Sequence, residues 1–165
     1  MAKQDLKLDG VNPPALGRVK IVLGVSGGIA AYKAIDLASK LTAAGAEVRS
    51  VLTESTLNLV GAKSFEAVTG GPAHTRRWEQ QEFKIGHVNL ADWADVIIIA
   101  PAMNDKMWAN PAVQENIKFA ERIGVKMIGP REGRLACGTE GLGRMAEPQE
   151  ILEAVEKIAA GIKRK

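Results

Sequence analysis

The sequence predicts an α/β protein with a doubly wound parallel sheet, because short apolar runs alternate with segments of helical periodicity along the 165 residues. The run at 19–25 ends in Ser-Gly-Gly, which indicates a buried strand followed by a tight turn. The run Val-Ile-Ile-Ile-Ala at 96–100 predicts the most buried strand of the chain. In such a sheet the carboxyl ends of the strands form the edge where ligands bind.

The other elements follow from apolar spacing and from the positions of glycine and proline. Apolar residues at helical spacing over 29–44 predict a helix that Gly45 ends. A helix at 111–123 has proline near its first position and ends at Gly124. The remaining predicted elements are strands at 47–52 and 125–128, one or two helices within 53–69, a short helix at 88–93 and a closing amphipathic helix at 148–160.

Length and composition favour one domain, with residues 1–17 as a flexible arm and 18–165 as the folded unit. The net charge of +3 suits small anionic ligands, and no basic stretch interleaved with aromatic residues calls for nucleic acid. No apolar run reaches the length of a membrane span, so no membrane partner is expected. One cysteine cannot form an internal disulfide, which fits a cytoplasmic protein.

The strand, glycine turn and helix start at 24–33 predict an anion-binding seat, because backbone N–H groups and the helix dipole point at the turn. The spacing of Lys33 does not match a P-loop, and the alternative is a tight turn without a ligand. Glu54, just past the second strand, is only a weak match to a ribose-binding acid. The candidate ligand-binding residues of the seat are Ser26, Gly27, Gly28, Ile29 and Ala30.

A second candidate segment leaves the apolar strand at 96–100 as Pro-Ala-Met-Asn. Asn104 offers a donor and an acceptor that could fix a carboxylate or an amide. Met103, Met107 and Trp108 either line a flat apolar ring or belong to a core or subunit interface.

A third candidate segment, 133–145, holds the single cysteine among four glycines and two arginines. The glycines predict a mobile loop, neither helix nor strand, that acts as a lid or a substrate clamp. Cys137 is either a small buried hydrophobe or a reactive thiol flanked by Arg134 and Arg144. Lys33 and these two arginines are the candidates for neutralising anionic ligands.

Two histidines complete the candidates. His87 follows a glycine at the start of the predicted helix at 88–93, and is either structural or catalytic. His74, beside Pro72, is expected to be an ordinary loop residue.

Taken in order, these segments resemble the flavin-containing cysteine decarboxylases. The matching pieces are Ser-Gly-Gly-Ile-Ala-Ala-Tyr-Lys at 26–33, His87 before a short helix, Pro-Ala-Met-Asn at 101–104 with Met-Trp at 107–108, and the segments Ala-Cys-Gly at 136–138 and Gly-Arg-Met at 143–145. The resemblance covers about 19–155. It implies a Rossmann-like, flavodoxin-like flavoprotein, FMN as cofactor, no metal, and a homo-oligomer that is a trimer or a dodecamer.

The resemblance also implies a reaction and roles for residues. FMN would oxidise the cysteine part of 4′-phosphopantothenoylcysteine to a thioaldehyde, CO2 would leave, and reduction of the ene-thiol would give 4′-phosphopantetheine for coenzyme A biosynthesis. His87 would serve the oxidative half, Asn104 would hold the substrate carboxylate and Cys137 would supply the last proton. Thr53 and Ser55 would join the seat as FMN contacts. The implied substrate-binding residues are Met103, Asn104, Met107, Ala136, Gly138, Arg144 and Met145.

One departure from the family pattern is large. In the family, the apolar strand ends in a first Pro-Ala-Thr/Ser-Ala-Asn motif, and a helix and another strand precede Pro-Ala-Met-Asn. Here residues 96–100 run directly into Pro-Ala-Met-Asn, so the fold is expected to be shortened by one helix-strand unit of about 30 residues. The loss could displace Asn104 by one strand spacing, about 4.8 Å, from His87 and the seat. Three explanations stay open: a deletion that abolishes activity, geometry restored by subunit association, or a segment omitted from the sequence.

Three other functional hypotheses remain beside decarboxylation. A non-enzymatic or regulatory flavin-binding relative would account for the shortening. A nicotinamide-dependent oxidoreductase would use Gly24, Gly27, Gly28 and Glu54, but it explains neither the asparagine nor the cysteine segment. The chain could also be a trimmed part of a decarboxylase fused to a ligase.

Overall fold

The computed structural model describes residues 15–75 and 86–162, with residues 86–89 described by their backbone. Helices separate the strands of the main sheet along this part of the chain, as the apolar pattern predicts. The strands are β1 (Lys20–Val25), β2 (Glu47–Leu52), β3 (Ala73–His74), β4 (Val96–Ile99), β5 (Lys126–Met127), β6 (Arg131–Arg134) and β7 (Glu140–Arg144). The helices are α1 (Ala31–Ala43), α2 (Glu54–Leu57), α3 (Ala62–Thr69), α4 (Gly86–Trp93), α5 (Asp105–Trp108), α6 (Pro111–Arg122) and α7 (Pro148–Ala160).

Five parallel strands form the main sheet in the order β3-β2-β1-β4-β5. The chain winds outward from β1 in one direction through β2 and β3, and then in the other through β4 and β5. The predicted doubly wound, Rossmann-like sheet is confirmed. The winding reverses between β1 and β4, and the crevice at that point is where open α/β sheets bind ligands.

The core lies where α1 packs against the sheet and against helices α3 and α7. The face of α1 that it buries carries small and branched apolar side chains, which lets the helices approach closely. Gly45 ends the helix in a left-handed conformation with φ of 94°, as predicted for that position. The buried residues of α1 are Ala31, Ala34, Leu37, Ala38 and Leu41.

The segment at 133–145 differs from the predicted mobile loop. It contributes to the antiparallel hairpin of β6 and β7, in which Gly133 lies opposite Gly141. Gly133 has a φ of 145°, a conformation that glycine adopts without a steric penalty. The prediction failed because glycine count measures conformational freedom, whereas cross-strand hydrogen bonds and close packing decide whether a strand forms.

Three other expectations differ from the structure. His74 is 5% exposed and lies in the edge strand β3, so it is not an ordinary loop residue. Burial and the nearby Arg49 charge lower the pKa of His74. In β4, Ile99 is 36% exposed, and the more completely buried strand is β1. Leu16, placed at the end of the predicted arm, is fully buried, and its N–H donates to the Ala44 carbonyl at 3.0 Å.

Within the described residues, no helix is both long enough and apolar enough to span a bilayer.

Candidate functional site

The glycine turn after β1 forms the first wall of the site. A Cβ atom on Gly27 would overlap the side chain of Ser55, so only glycine fits between β1 and α2. Thr56 fixes this approach, because its hydroxyl donates to the Val25 carbonyl at 2.7 Å. Among the described residues, no hydrogen bond uses the N–H of Ile29 or Ala30 as its donor. The turn therefore presents unused donors at the start of α1, as an anion seat requires.

The second wall follows β4, where residues 101–104 run beside the seat. A Cβ on Gly28 would lie 3.9 Å from the Ala102 carbonyl oxygen. Asn104 is the N-cap of α5, and its Oδ1 accepts the N–H of Lys106 at 2.8 Å. Because this bond fixes the amide, the Nδ2 group points to the Cys137 sulfur at 3.2 Å. Helix capping thus orients the side chain that faces the thiol.

The hairpin of β6 and β7 forms the third wall, and two glycines let it approach the second. A Cβ on Gly143 would overlap the Met103 carbonyl oxygen, and one on Gly141 would lie 2.9 Å from the Asp105 Cβ. The Met103 N–H donates to the Gly143 carbonyl at 2.9 Å. The glycines that seemed to predict mobility therefore serve close backbone contact, which places Cys137 against Asn104.

Cys137 is exposed at the tip of the hairpin, so the interpretation as a buried hydrophobe is wrong. Its sulfur lies 3.1 Å from the hydroxyl of Thr139 and accepts the Asn104 amide. Hydrogen bonds from Thr139, and then from Asn104, lower the pKa of the Cys137 thiol. The flanking arginines, which suggested a reactive thiol, are not the cause of this shift.

The three walls enclose a cleft of about 820 Å³, here named the Asn–Cys cleft. Its charged lining consists of Lys33, Arg134 and Arg144, and no described acidic residue lines it. Lys33 is already paired with Glu147, whose carboxylate oxygens lie 2.9 and 3.0 Å from the ammonium. Arg144 lies 3.7 Å from the same carboxylate. The cleft is therefore suited to an anionic ligand, and Glu147 holds two of its three cations.

The structure brings most of the predicted residues together. Gly27, Gly28, Ile29 and Ala30 line the cleft, as does every residue predicted to bind substrate: Met103, Asn104, Met107, Ala136, Gly138, Arg144 and Met145. Thr53 and Ser55 are not among its lining residues, although Ser55 abuts Gly27. Ser26 lines a neighbouring groove, and Trp108 lines neither. His87 lies in α4, and its side chain falls outside the described residues.

Two residues of the site were missed from the sequence. Glu147 precedes Pro148 and has Glu150 three positions later, a capping-box spacing that could have indicated the start of α7. Its pairing with Lys33 is a contact 114 residues apart and had no local signal. Thr139 lies two residues from Cys137, and only the hairpin geometry shows that its hydroxyl reaches the sulfur.

A second concave region, the α1–α6 groove, adjoins the cleft with a volume of about 330 Å³. It shares Gly28, Ala30, Ala102, Met103 and Met145 with the Asn–Cys cleft. The α6 side of the groove is formed by Val113, Asn116, Ile117 and Ala120.

Fold and site together define a Rossmann-like α/β protein with an anion seat and a hydrogen-bonded thiol at the point where the sheet winding reverses. The sequence model of the Flavoprotein family matches residues 12–102 and 97–160, which is most of the chain. The chain belongs to this family. The predicted resemblance is confirmed, and a flavin is the class of cofactor that the family binds.

Comparisons with individual proteins agree with this family assignment. The chain is 38% identical to the coenzyme A biosynthesis bifunctional protein CoaBC of Bacillus subtilis, over 86% of this chain and 43% of the relative. It thus spans less than half the length of the curated relatives it matches. The structure of a PPC decarboxylase mutant complexed with pantothenoylaminoethenethiol has a TM-score of 0.73 at 28% identity and covers 87% of this chain and 100% of that one. The FMN binding protein AtHal3 has a TM-score of 0.71 at 28% identity, over 89% of this chain and 100% of that one.

The matches also agree with the predicted shortening. The alignment with the Bacillus subtilis relative runs over 176 residues, whereas 86% of the 165 residues is about 142, which leaves about 34 positions without a counterpart in this chain. The two family matches share residues 97–102. These residues end β4 and begin the asparagine segment, where a helix-strand unit is expected in the family. Residues 99–102 of this shared stretch line the α1–α6 groove.

Proposed function

We propose that this chain carries out the FMN-dependent decarboxylation of 4′-phosphopantothenoylcysteine to 4′-phosphopantetheine, a step of coenzyme A biosynthesis. The contact between Asn104 and Cys137 is the observation that carries the proposal. It joins the two segments that distinguish a cysteine decarboxylase from a flavin-binding fold alone. The similarity to CoaBC proteins and to a PPC decarboxylase supports the same assignment.

The residues of the seat fit the phosphate of FMN. Unused backbone donors at the start of α1 suit a phosphate, and Gly27 lets the turn that carries them pack against Ser55. Ser26 to Ala30 would hold the phosphate, with Thr53 and Ser55 at the rim. When bound, FMN would supply the two-electron oxidation of the substrate cysteine and return the electrons in the last step.

The chain's own residues would bind and orient the substrate and would protonate the ene-thiol. Arg134 and Arg144 would attract the phosphorylated substrate into a cleft without acidic lining. The Nδ2 group of Asn104 has a second hydrogen free of the sulfur contact, and this hydrogen would bind the substrate carboxylate. Cys137 would give its proton to the carbon of the ene-thiol, leaving a thiolate held by its neighbours. His87 is proposed for the oxidative half on the resemblance alone.

The assembly proposed with this function is a homo-oligomer, a trimer or a dodecamer, in the cytoplasm. Its flavoprotein domain comprises residues 18–165 together with the buried Leu16. No nucleic acid or membrane partner is proposed. A non-enzymatic flavin-binding role is the second candidate, because about 34 positions of the relatives have no counterpart here.

The test is to incubate the chain and its Cys137→Ser variant with FMN and 4′-phosphopantothenoylcysteine, and to identify the products by mass spectrometry. We expect 4′-phosphopantetheine from the chain itself. The variant should release CO2 but stall at the ene-thiol, because the proton donor is lost. Full 4′-phosphopantetheine yield from the variant would exclude Cys137 from the reduction. Absence of CO2 from the unaltered chain, with FMN bound, would favour the non-enzymatic role.

A further inference from the structure

We propose that Thr139 is a positioning residue, which orients the Cys137 thiol in the cleft and holds its sulfur after the proton has left. The inference rests on the proposed function for its place in the reaction, but the contact itself is a property of the hairpin. The Thr139 hydroxyl oxygen lies 3.1 Å from the sulfur. Both side chains are exposed at the hairpin tip, so burial does not force them into contact.

The backbone of the tip fixes this contact. The Leu135 N–H donates to the Thr139 carbonyl at 2.8 Å, and the Gly138 N–H donates to the Leu135 carbonyl at 3.0 Å. Gly138 has a φ of 89°, a left-handed conformation that glycine adopts readily. The turn therefore closes over Cys137 and carries Thr139 back alongside it, with the hydroxyl on the sulfur.

A hydroxyl is suited to this place because it can reverse its hydrogen bond. While the thiol is protonated, the S–H can donate to the threonine oxygen. When the S–H bond breaks, the proton goes to the substrate carbon and the bonding pair stays on sulfur. The Thr139 hydroxyl can then rotate and donate its hydrogen to the thiolate. The Asn104 Nδ2 group already donates to the same sulfur. The electrons for reduction come from the cofactor, as in the proposed function.

Two hydrogen-bonding groups contact the Cys137 sulfur, the Thr139 hydroxyl and the Asn104 amide. The elements around the cleft carry Lys33 on α1, Asp105 and Lys106 on α5, Arg134 on β6, and Glu140 and Arg144 on β7. None of them is a cause of the lowered pKa of the Cys137 thiol, for which Thr139 is the largest contributor. Removing the Thr139 hydroxyl should therefore raise the pKa of the Cys137 thiol, although every charged side chain stays in place.

The experiment measures alkylation of Cys137 by iodoacetamide as a function of pH, in the full chain without cofactor or substrate. Cys137 is the only cysteine, so the reaction reports on one sulfur. Thr139→Val should shift the half-maximal rate to higher pH and slow alkylation at pH 7 about three- to tenfold, because only the thiolate reacts and one donor is lost. Thr139→Ser keeps the hydroxyl and should stay within about twofold of the unaltered chain.

Thr42→Val is the matched control, because it removes a hydroxyl that donates to the Ala38 carbonyl inside α1, away from the cleft. An unchanged pH profile in Thr139→Val, or an equal shift in Thr139→Ser, would overturn the proposal. If the valine variant fails to fold, Thr139→Ala replaces it and should show the same shift of the alkylation profile to higher pH. The assay contains no FMN, so a failed decarboxylation and a failed role for Thr139 are separate results.

Discussion

Helices α1 and α6 both start near the candidate site, yet they are held in opposite ways. Helix α1 buries five residues against the sheet and its neighbours. Helix α6 has no buried residue, and its Phe119 is 53% exposed. Since helices in proteins draw most of their stability from a packed face, α1 is fixed by the core and α6 is not. The α1–α6 groove, which α6 lines, also contains residues 99–102 of the stretch that the two family matches share.

The comparison shows which part of the site is independent of the shortening. The seat, the Asn104 cap and the hairpin depend on β1, β4, α1 and close glycine contacts. The α1–α6 groove is where apolar side chains remain open. The Asn–Cys cleft can therefore be assembled although one flank of the sheet is left less covered.

The largest expected effect contrasts the two helices directly. Leu37→Ala should destabilise the chain by about 2–5 kcal/mol, because it leaves a cavity in the core. Phe119→Ala should change the free energy of unfolding by no more than about 0.5 kcal/mol, because the ring is already largely in water. Urea unfolding of both variants checks the contrast. A comparable loss in the two variants would show that α6 is covered in solution.

A smaller loss of stability is expected for a substitution in the β6–β7 hairpin than for Leu37→Ala, and none is expected for a substitution at the α1–α6 groove. Gly143→Ala places a methyl group against the Met103 carbonyl, and overlap of this kind typically costs about 1–3 kcal/mol. Gly24→Ala is the matched control, because a Cβ there meets nothing within 4 Å and points to the open groove. Urea midpoints should fall for Gly143→Ala and hold or rise for Gly24→Ala. A midpoint that is unchanged for Gly143→Ala would mean that β7 does not pack closely on the asparagine segment.

The apolar pattern was sufficient to predict the sheet. β2 and α7 coincide with their predicted bounds of 47–52 and 148–160, and Gly45 and Gly124 follow helices as predicted. The pattern could not predict the burial of each strand residue: Ile99 belongs to an apolar run, yet it lines the open α1–α6 groove and is 36% exposed. The same limit applies to His74, which lies in the two-residue strand β3, too short to give an alternating pattern.

The sequence predicted most residues of the site, but it did not predict the contacts between them. Asn104 and Cys137 were selected by residue type and by resemblance, but they are 33 residues apart and no local signal indicated that they touch. Thr139 was missed because its role depends on the turn at 135–139. The glycines of 133–145 were misread because their effect depends on Met103 and Asp105, which lie in another segment.

We expect the cofactor site to bind FMN despite the shortening. The most direct measurement is the visible spectrum of the purified chain after FMN is added and the excess is removed by gel filtration, beside a Gly27→Val variant. Flavin absorbance should travel with the chain and be lost from the variant, because its side chain would collide with Ser55 and displace the turn that is proposed to hold the phosphate. A colourless but folded chain, or equal flavin retention by both proteins, would contradict the account.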